Sequence, residues 1–184
     1  MNEGLLKRLE TLADAFREER ALDLKRIGSK SIREAAERGD TWMAKLSVIS
    51  YSLYKMLSKD HFVKSPRWGE ISRNIKSEIA KASEALEGND LEAFNTSIDN
   101  AVKSIERTDD ELSNFAKNIY GKARIKQAST AYAIGLSLNQ AASLTGADRK
   151  ELQKYIGFTR IHDEQPAHVG IGERMKMLRE MLDK

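Results

Sequence analysis

The chain contains no cysteine, which removes disulfides, Cys-ligated zinc and thiol nucleophiles and leaves packing to hold the fold together. Proline occurs only at Pro66 and Pro166 and glycine 11 times in 184 residues, so few points force the chain out of regular structure. Aromatic residues are 7% of the total, and no unbroken apolar run approaches the ~18 residues of a membrane span. The opening segment MNEGLLKRLETLADAFREER is too charged for a secretory signal. A cytoplasmic protein with no membrane partner is therefore expected. Catalytic signatures are missing as well, since there is no Gly-rich phosphate loop, no GxSxG and no cysteine nucleophile. The pair Asp109 and Asp110 and the run Glu18, Glu19, Arg20 have the look of surface charge. The expectation is a non-enzyme that needs no cofactor.

What remains is a chain rich in Lys, Glu, Ala and Leu, 40% hydrophobic and 32% charged, a composition suited to amphipathic helices. The net charge of +3 conceals an asymmetry. From Lys117 onward there are 12 Lys/Arg against 7 Asp/Glu, whereas the preceding residues hold 19 against 21. Positive charge is therefore concentrated in the C-terminal part, where it favours polyanionic partners.

Periodicity predicts a first helix from Asn2 to about Arg26, with a stripe of Leu5, Leu6, Leu9, Leu12, Ala13 and Phe16. Gly28 and Ser29 read as a break, Ser31 as a cap, and Ile32 to Arg38 as a short helix stopped by Gly39. Asp40 or Thr41 caps a helix that is apolar on nearly every side, from Trp42 to Leu57, which belongs at the centre of a bundle. After a loop at His61 to Gly69, helices over about 70–86 and 91–105 form an antiparallel hairpin. Gly88, Asn89 and Asp90 turn the chain between them. The hairpin size also suits TPR-like arrays, but no second copy follows at a 34-residue period, and a closed bundle is the better reading. A further long helix is expected over Asp109 to Ile134.

The segment Leu138 to Gly157, LNQAASLTGADRKELQKYIG, carries the functional signal. It reads as two short helices joined by a tight turn. Ala142 is small where the helices must cross, Gly146 follows four residues later at the turn, and Leu152 comes six residues after that to dock inward. Ser137 and Asp148 stand where each helix needs a cap. This is the spacing of a helix-turn-helix. Leu152, Tyr155 and Ile156 should point inward, leaving Arg149, Lys150, Gln153 and Lys154 outward. Arg and Lys can donate to guanine O6 and N7, Gln can pair with adenine, and the cations can hold phosphate. Asn139 and Gln140 are candidates for backbone contacts that fix register, and Arg160 for a short arm onto the phosphates. The bland alternative is a solvated or protein-binding face, since such units are reused as interaction modules.

Beyond the motif, Phe158 to Ile161 reads as extended and about 171–182 as a final amphipathic helix with Ile171, Met175, Leu178 and Met181 on one stripe. Its methionines suit docking on the bundle or a dimer contact. A homodimer is expected because helix-turn-helix proteins commonly bind half-sites one turn of DNA apart, ~34 Å. The cluster His162, Asp163, Glu164 and His168 does not bring two histidines to the i, i+4 spacing of a helical zinc site, and no metal is expected. His61 stands alone and reads as a solvated histidine.

Residues 136–157 resemble the helix-turn-helix of transcription regulators. GLSLNQAASLTG, ELQKYIG and TRIHDE together look like the C-terminal part of uncharacterised archaeal proteins. That resemblance covers about a third of the chain and implies a trihelical DNA-binding fold, with no ligand, operator or partner carried over. The N-terminal helices are also similar in layout to HEPN-type bundles, whose ribonuclease members place an Arg four to six residues before a His. No histidine here has an Arg at that distance upstream, so topology alone is implied.

The sequence thus predicts an all-α protein with an N-terminal helical bundle over 1–108 and a C-terminal helix-turn-helix domain over 109–184 that ends in an amphipathic helix. Its expected role is that of a DNA-binding transcriptional regulator acting on double-stranded DNA. The alternative is an antitoxin-like or adaptor module whose helices cover a partner protein, engaged through the N-terminal bundle.

Overall fold

The computed structural model describes residues 3–112 and 118–158, with side chains over 3–108 and 118–157. Among the described residues the fold is all-α, with α1 at Glu3–Arg17, α2 at Ala21–Arg38, α3 at Thr41–Leu57 and the single turn α4 at Asp60–Val63. The hairpin α5 (Trp68–Glu87) and α6 (Leu91–Leu112) follows, then α7 (Ile119–Ile134), α8 (Leu138–Thr145) and α9 (Arg149–Phe158).

The first departure from the sequence reading is that no single helix runs from Asn2 to Arg26. Glu19 adopts φ 55°, the left-handed conformation that ends a helix, and Arg20 N–H returns to the Ala15 carbonyl at 2.8 Å. A glutamate in that conformation leaves no mark in composition. The second departure lies at Gly28, which sits inside α2 and interrupts nothing. It is buried where α2 meets α3 and α7. A Cβ there would stand 3.2 Å from the Ser47 carbonyl oxygen, 3.5 Å from Tyr51 N and 3.6 Å from Gln127 Nε2. The glycine serves a close helix crossing.

Helices α2 and α3 pair antiparallel around that crossing. Ser47 Oγ donates to the Gly28 carbonyl at 2.9 Å and Ser50 Oγ to the Leu24 carbonyl at 2.7 Å, both fully buried. These bonds satisfy hydroxyls that burial would otherwise penalise. As its apolar circumference requires, α3 is central, packing on α1, α2, α4, α6, α7 and α8. Asp40 caps it, accepting from Met43 N at 3.0 Å.

The hairpin α5–α6 is built differently. Ile71, Ile75, Ile79, Ala82 and Leu86 on one helix and Phe94, Ile98, Ala101, Val102 and Ile105 on the other are all buried, as their spacing predicted. Asn89 takes φ 57°, and Asp90 accepts from Ala93 N at 2.9 Å, so the turn is closed on both sides. Trp68 at the start of α5 meets Phe16 edge-on with centroids 6.4 Å apart, tying the hairpin to α1.

The expected helix over 109–134 is likewise replaced. The sixth helix continues to Leu112, and α7 begins only at Ile119, because Asn118 is left-handed at φ 71° and its side chain accepts from Gly121 N at 2.7 Å. α7 packs on α2, α3 and α6 and also carries α8 and α9. Buried apolar residues form one cluster from Leu5 in α1 to Leu152 in α9, continuous across residue 108.

Candidate nucleic-acid interface

The site is assembled from three helices, beginning with α7 as a platform of small side chains. Ala123, Ala128 and Ala131 of α7 are buried, as are Ala141 and Ala142 of α8, which packs on it. At its N-terminus α8 carries a complete capping box. Ser137 Oγ accepts from Gln140 N at 3.2 Å, and Gln140 Oε1 accepts from Ser137 N at 2.9 Å. Gly146 ends the helix at φ 68°, ψ 23°, and both its N–H and that of Ala147 return to the Ala142 carbonyl. Glycine takes this left-handed conformation without the strain that a side chain brings to it. Arg124 of α7 lies over the Tyr120 ring at 4.6 Å and reaches alongside Gly146, covering the turn. Burial pushes the Tyr120 phenol above its ordinary value, and Arg124 partly opposes that shift.

Two residues beyond the glycine, Asp148 starts α9 by accepting from Glu151 N at 2.8 Å. Leu152 is fully buried, while Tyr155 and Ile156 are half-buried. Arg149, Lys150, Gln153 and Lys154 are all exposed on the other side, and so are Asn139 and Gln140 at the start of α8. The helix therefore turns its polar residues outward as their spacing demanded. Two details lay outside the sequence reading. Gln140 spends its carbonyl oxygen on the capping box, and exposed Glu151 places a carboxylate among the outward cations. Phe158 closes α9 and is helical where the sequence pointed to the start of an extended segment; Arg160, the rest of that segment, the cluster His162, Asp163, Glu164 and His168, and the expected final helix lie outside the described residues.

Tyr155 of α9 is half-buried. Burial raises its phenol, Tyr51 raises it further, and the positive charge of Lys55 lowers it. Lys55 Nζ stands 5.5 Å from the Tyr51 ring centroid and 5.3 Å from that of Tyr54. Lys25 of α2 reaches the Tyr54 ring at 5.7 Å. From there a stripe of Lys25, Arg26, Ser29, Lys30 and Arg33 lines a shallow groove on α2 with exposed Leu22 at its end. The sequence reading missed that stripe for a definite reason. Placing a break at Gly28 assigned its two halves to different helices, whereas unbroken α2 aligns them on one face.

Among the described residues, no three His, Asp or Glu side chains converge as metal ligands, and no helix is long and apolar enough to cross a membrane. No protein-family model matches the chain, and no curated protein or solved structure matches it either.

Proposed function

We propose that the chain is a DNA-binding protein that docks α9 in the major groove, with a role in transcriptional regulation. The observation that carries this reading is the division of α9. A fully buried Leu152 anchors a helix whose Arg149, Lys150, Gln153 and Lys154 all face solvent, behind a turn closed by left-handed Gly146. On this reading Arg149 and Lys150, in the first turn of the recognition helix, reach base edges, while Lys154 holds phosphate. Asn139 and Gln140, at the N-terminus of α8, supply register contacts to the backbone, and Arg160 extends the footprint. Two copies would engage paired half-sites, in the compartment that holds the DNA.

The test is an Arg149→Ala, Lys154→Ala double variant in a gel shift against duplex DNA. Losing one base-reading and one phosphate contact should weaken binding by roughly 1–3 kcal/mol for the former, with helicity by circular dichroism unchanged because both residues are exposed. If the wild-type protein shows no salt-sensitive binding to any duplex, the reading fails.

A further inference from the structure

We propose that the cationic stripe of α2, formed by Lys25, Arg26, Lys30 and Arg33, is a second contact surface that grips the phosphate backbone of duplex DNA beside the segment engaged by α9. This inference rests on the DNA-binding reading above and extends its footprint onto the bundle.

Charge is the first ground. Among the described residues, the acidic residues of α2 pair with only one member of the stripe, Arg26. Asp23 is held by Arg20 at 2.7 Å and by Arg26 at 3.3 Å, and Glu34 is held by Arg8 of α1 at 2.6 Å. Lys30 and Arg33 have no ion pair among the described residues, in contrast to Lys45, Lys64 and Lys81, each of which does. Lys25, Lys30 and Arg33, uncompensated and aligned on one helix face, form an anion-binding surface.

Geometry is the second. From residue 25 to 33 the helix rises ~12 Å, and a duplex presents one negative charge per ~1.7 Å of axis, so several phosphates fall within reach of the stripe. The third ground is continuity. Lys25 meets Tyr54, Lys55 covers both Tyr54 and Tyr51, and Tyr155 of α9 lies within electrostatic reach of Tyr51 and Lys55. Cations and half-buried rings thus lead from the stripe to the helix that carries Lys154.

The same contacts separate duplex DNA from competing polyanions. Stacking of single-stranded bases needs open aromatic faces, yet the Tyr54 face receives Lys25 and Lys55, and Tyr51 receives Lys55. Insertion into an anionic membrane needs an apolar helix face, and the apolar face of α2, with Leu24, Ile27 and Ile32, is buried in the core. Rigid phosphate contact is what the surface offers.

The experiment measures binding of a labelled duplex of arbitrary sequence by fluorescence anisotropy between ~50 and ~200 mM salt. Five forms are compared: wild type, Lys25→Ala/Lys30→Ala/Arg33→Ala, the smaller Lys30→Ala/Arg33→Ala, the charge-keeping Lys25→Arg/Lys30→Arg, and Arg149→Ala/Lys154→Ala. Unfolding midpoints verify that each is folded, and the smaller variant guards against loss of the Lys25 contact with Tyr54. Each phosphate contact contributes ~0.9 to the slope of log affinity against log salt. The triple variant should therefore flatten the slope by about 2 to 3 and the smaller one by about 2, and a Lys25→Arg/Lys30→Arg variant should retain it. If wild type binds and the α9 variant weakens while the α2 variants match wild type, the stripe is not a contact and the α9 reading survives. If the α2 variants weaken and the α9 variant does not, the stripe stands and the recognition-helix reading falls. Absence of duplex binding by wild type, or preference for single strands or anionic vesicles, overturns the proposal.

Discussion

The α5–α6 hairpin and the crossing of α2, α3 and α7 are both helix packings, yet they are held by opposite means. In the hairpin, branched and aromatic side chains, among them Ile75, Ile79, Phe94 and Ile98, fill the space between the helices and are almost wholly buried. Stability there comes from apolar area, at ~1.5–3 kcal/mol for each large side chain taken out of water. At the crossing the side chains are small or absent. Gly28, Ser47 and Ser50 let backbones approach, and serine hydroxyls bond to carbonyls across the gap. Area is given up for position. The helix that requires accurate placement is α7, because α8 and α9 are mounted on it.

Substitutions should separate the two modes. The largest effect is expected in the hairpin, where Phe94→Ala removes a buried ring that also meets Trp42 with centroids 5.1 Å apart. Chemical denaturation should show a loss of about 3–5 kcal/mol. Residual protein, where still folded, should keep the DNA affinity of wild type, since the hairpin carries none of the proposed contacts.

At the crossing the expected loss is smaller but its consequence reaches further. Gly28→Val should cost about 1–3 kcal/mol by forcing α2 away from the Ser47 carbonyl. It should also weaken DNA binding, because α7 moves with its neighbours. The milder Gly28→Ala sharpens the test. Alanine gains ~1 kcal/mol of helix propensity over glycine, so a variant more stable than wild type would show that the backbones have room to spare and would dissolve the contrast.

The smallest effect belongs to the caps of the motif, which lie in neither packing. Ser137→Ala removes the acceptor for Gln140 N and should cost about 1 kcal/mol. Faster amide exchange confined to the first turn of α8 would identify the loss as local fraying, and uniform acceleration across all helices would contradict it.

Which features the sequence disclosed follows the same division. The hairpin was legible down to individual residues, because Ile71 through Leu86 and Phe94 through Ile105 repeat at helical spacing and a Gly-Asn-Asp turn separates them. So were Asp40, Ser137, Asp148 and Gly146, whose side chains or lack of one announce a local role. The breaks at Glu19 and Asn118 were not, since each is set by a left-handed backbone on a residue that helices tolerate. Gly28 misled in the opposite sense. A glycine that breaks a helix and one that admits a neighbouring backbone look alike until the partner helix is present. The outward face of α9 was read from its spacing alone, whereas the α2 stripe required knowing that α2 is continuous.

The two buried hydroxyls of α3 have a mechanical consequence. A slide of α2 along α3 by one helical turn, ~5.4 Å, would separate Ser47 from the Gly28 carbonyl and Ser50 from that of Leu24 together. Each stranded group would cost ~1–3 kcal/mol, so the pair acts as a two-tooth ratchet lock against slippage. A helix locked in this way behaves as a rigid rail. The spacing between the α2 cations and the residues mounted on α7 is then a fixed length.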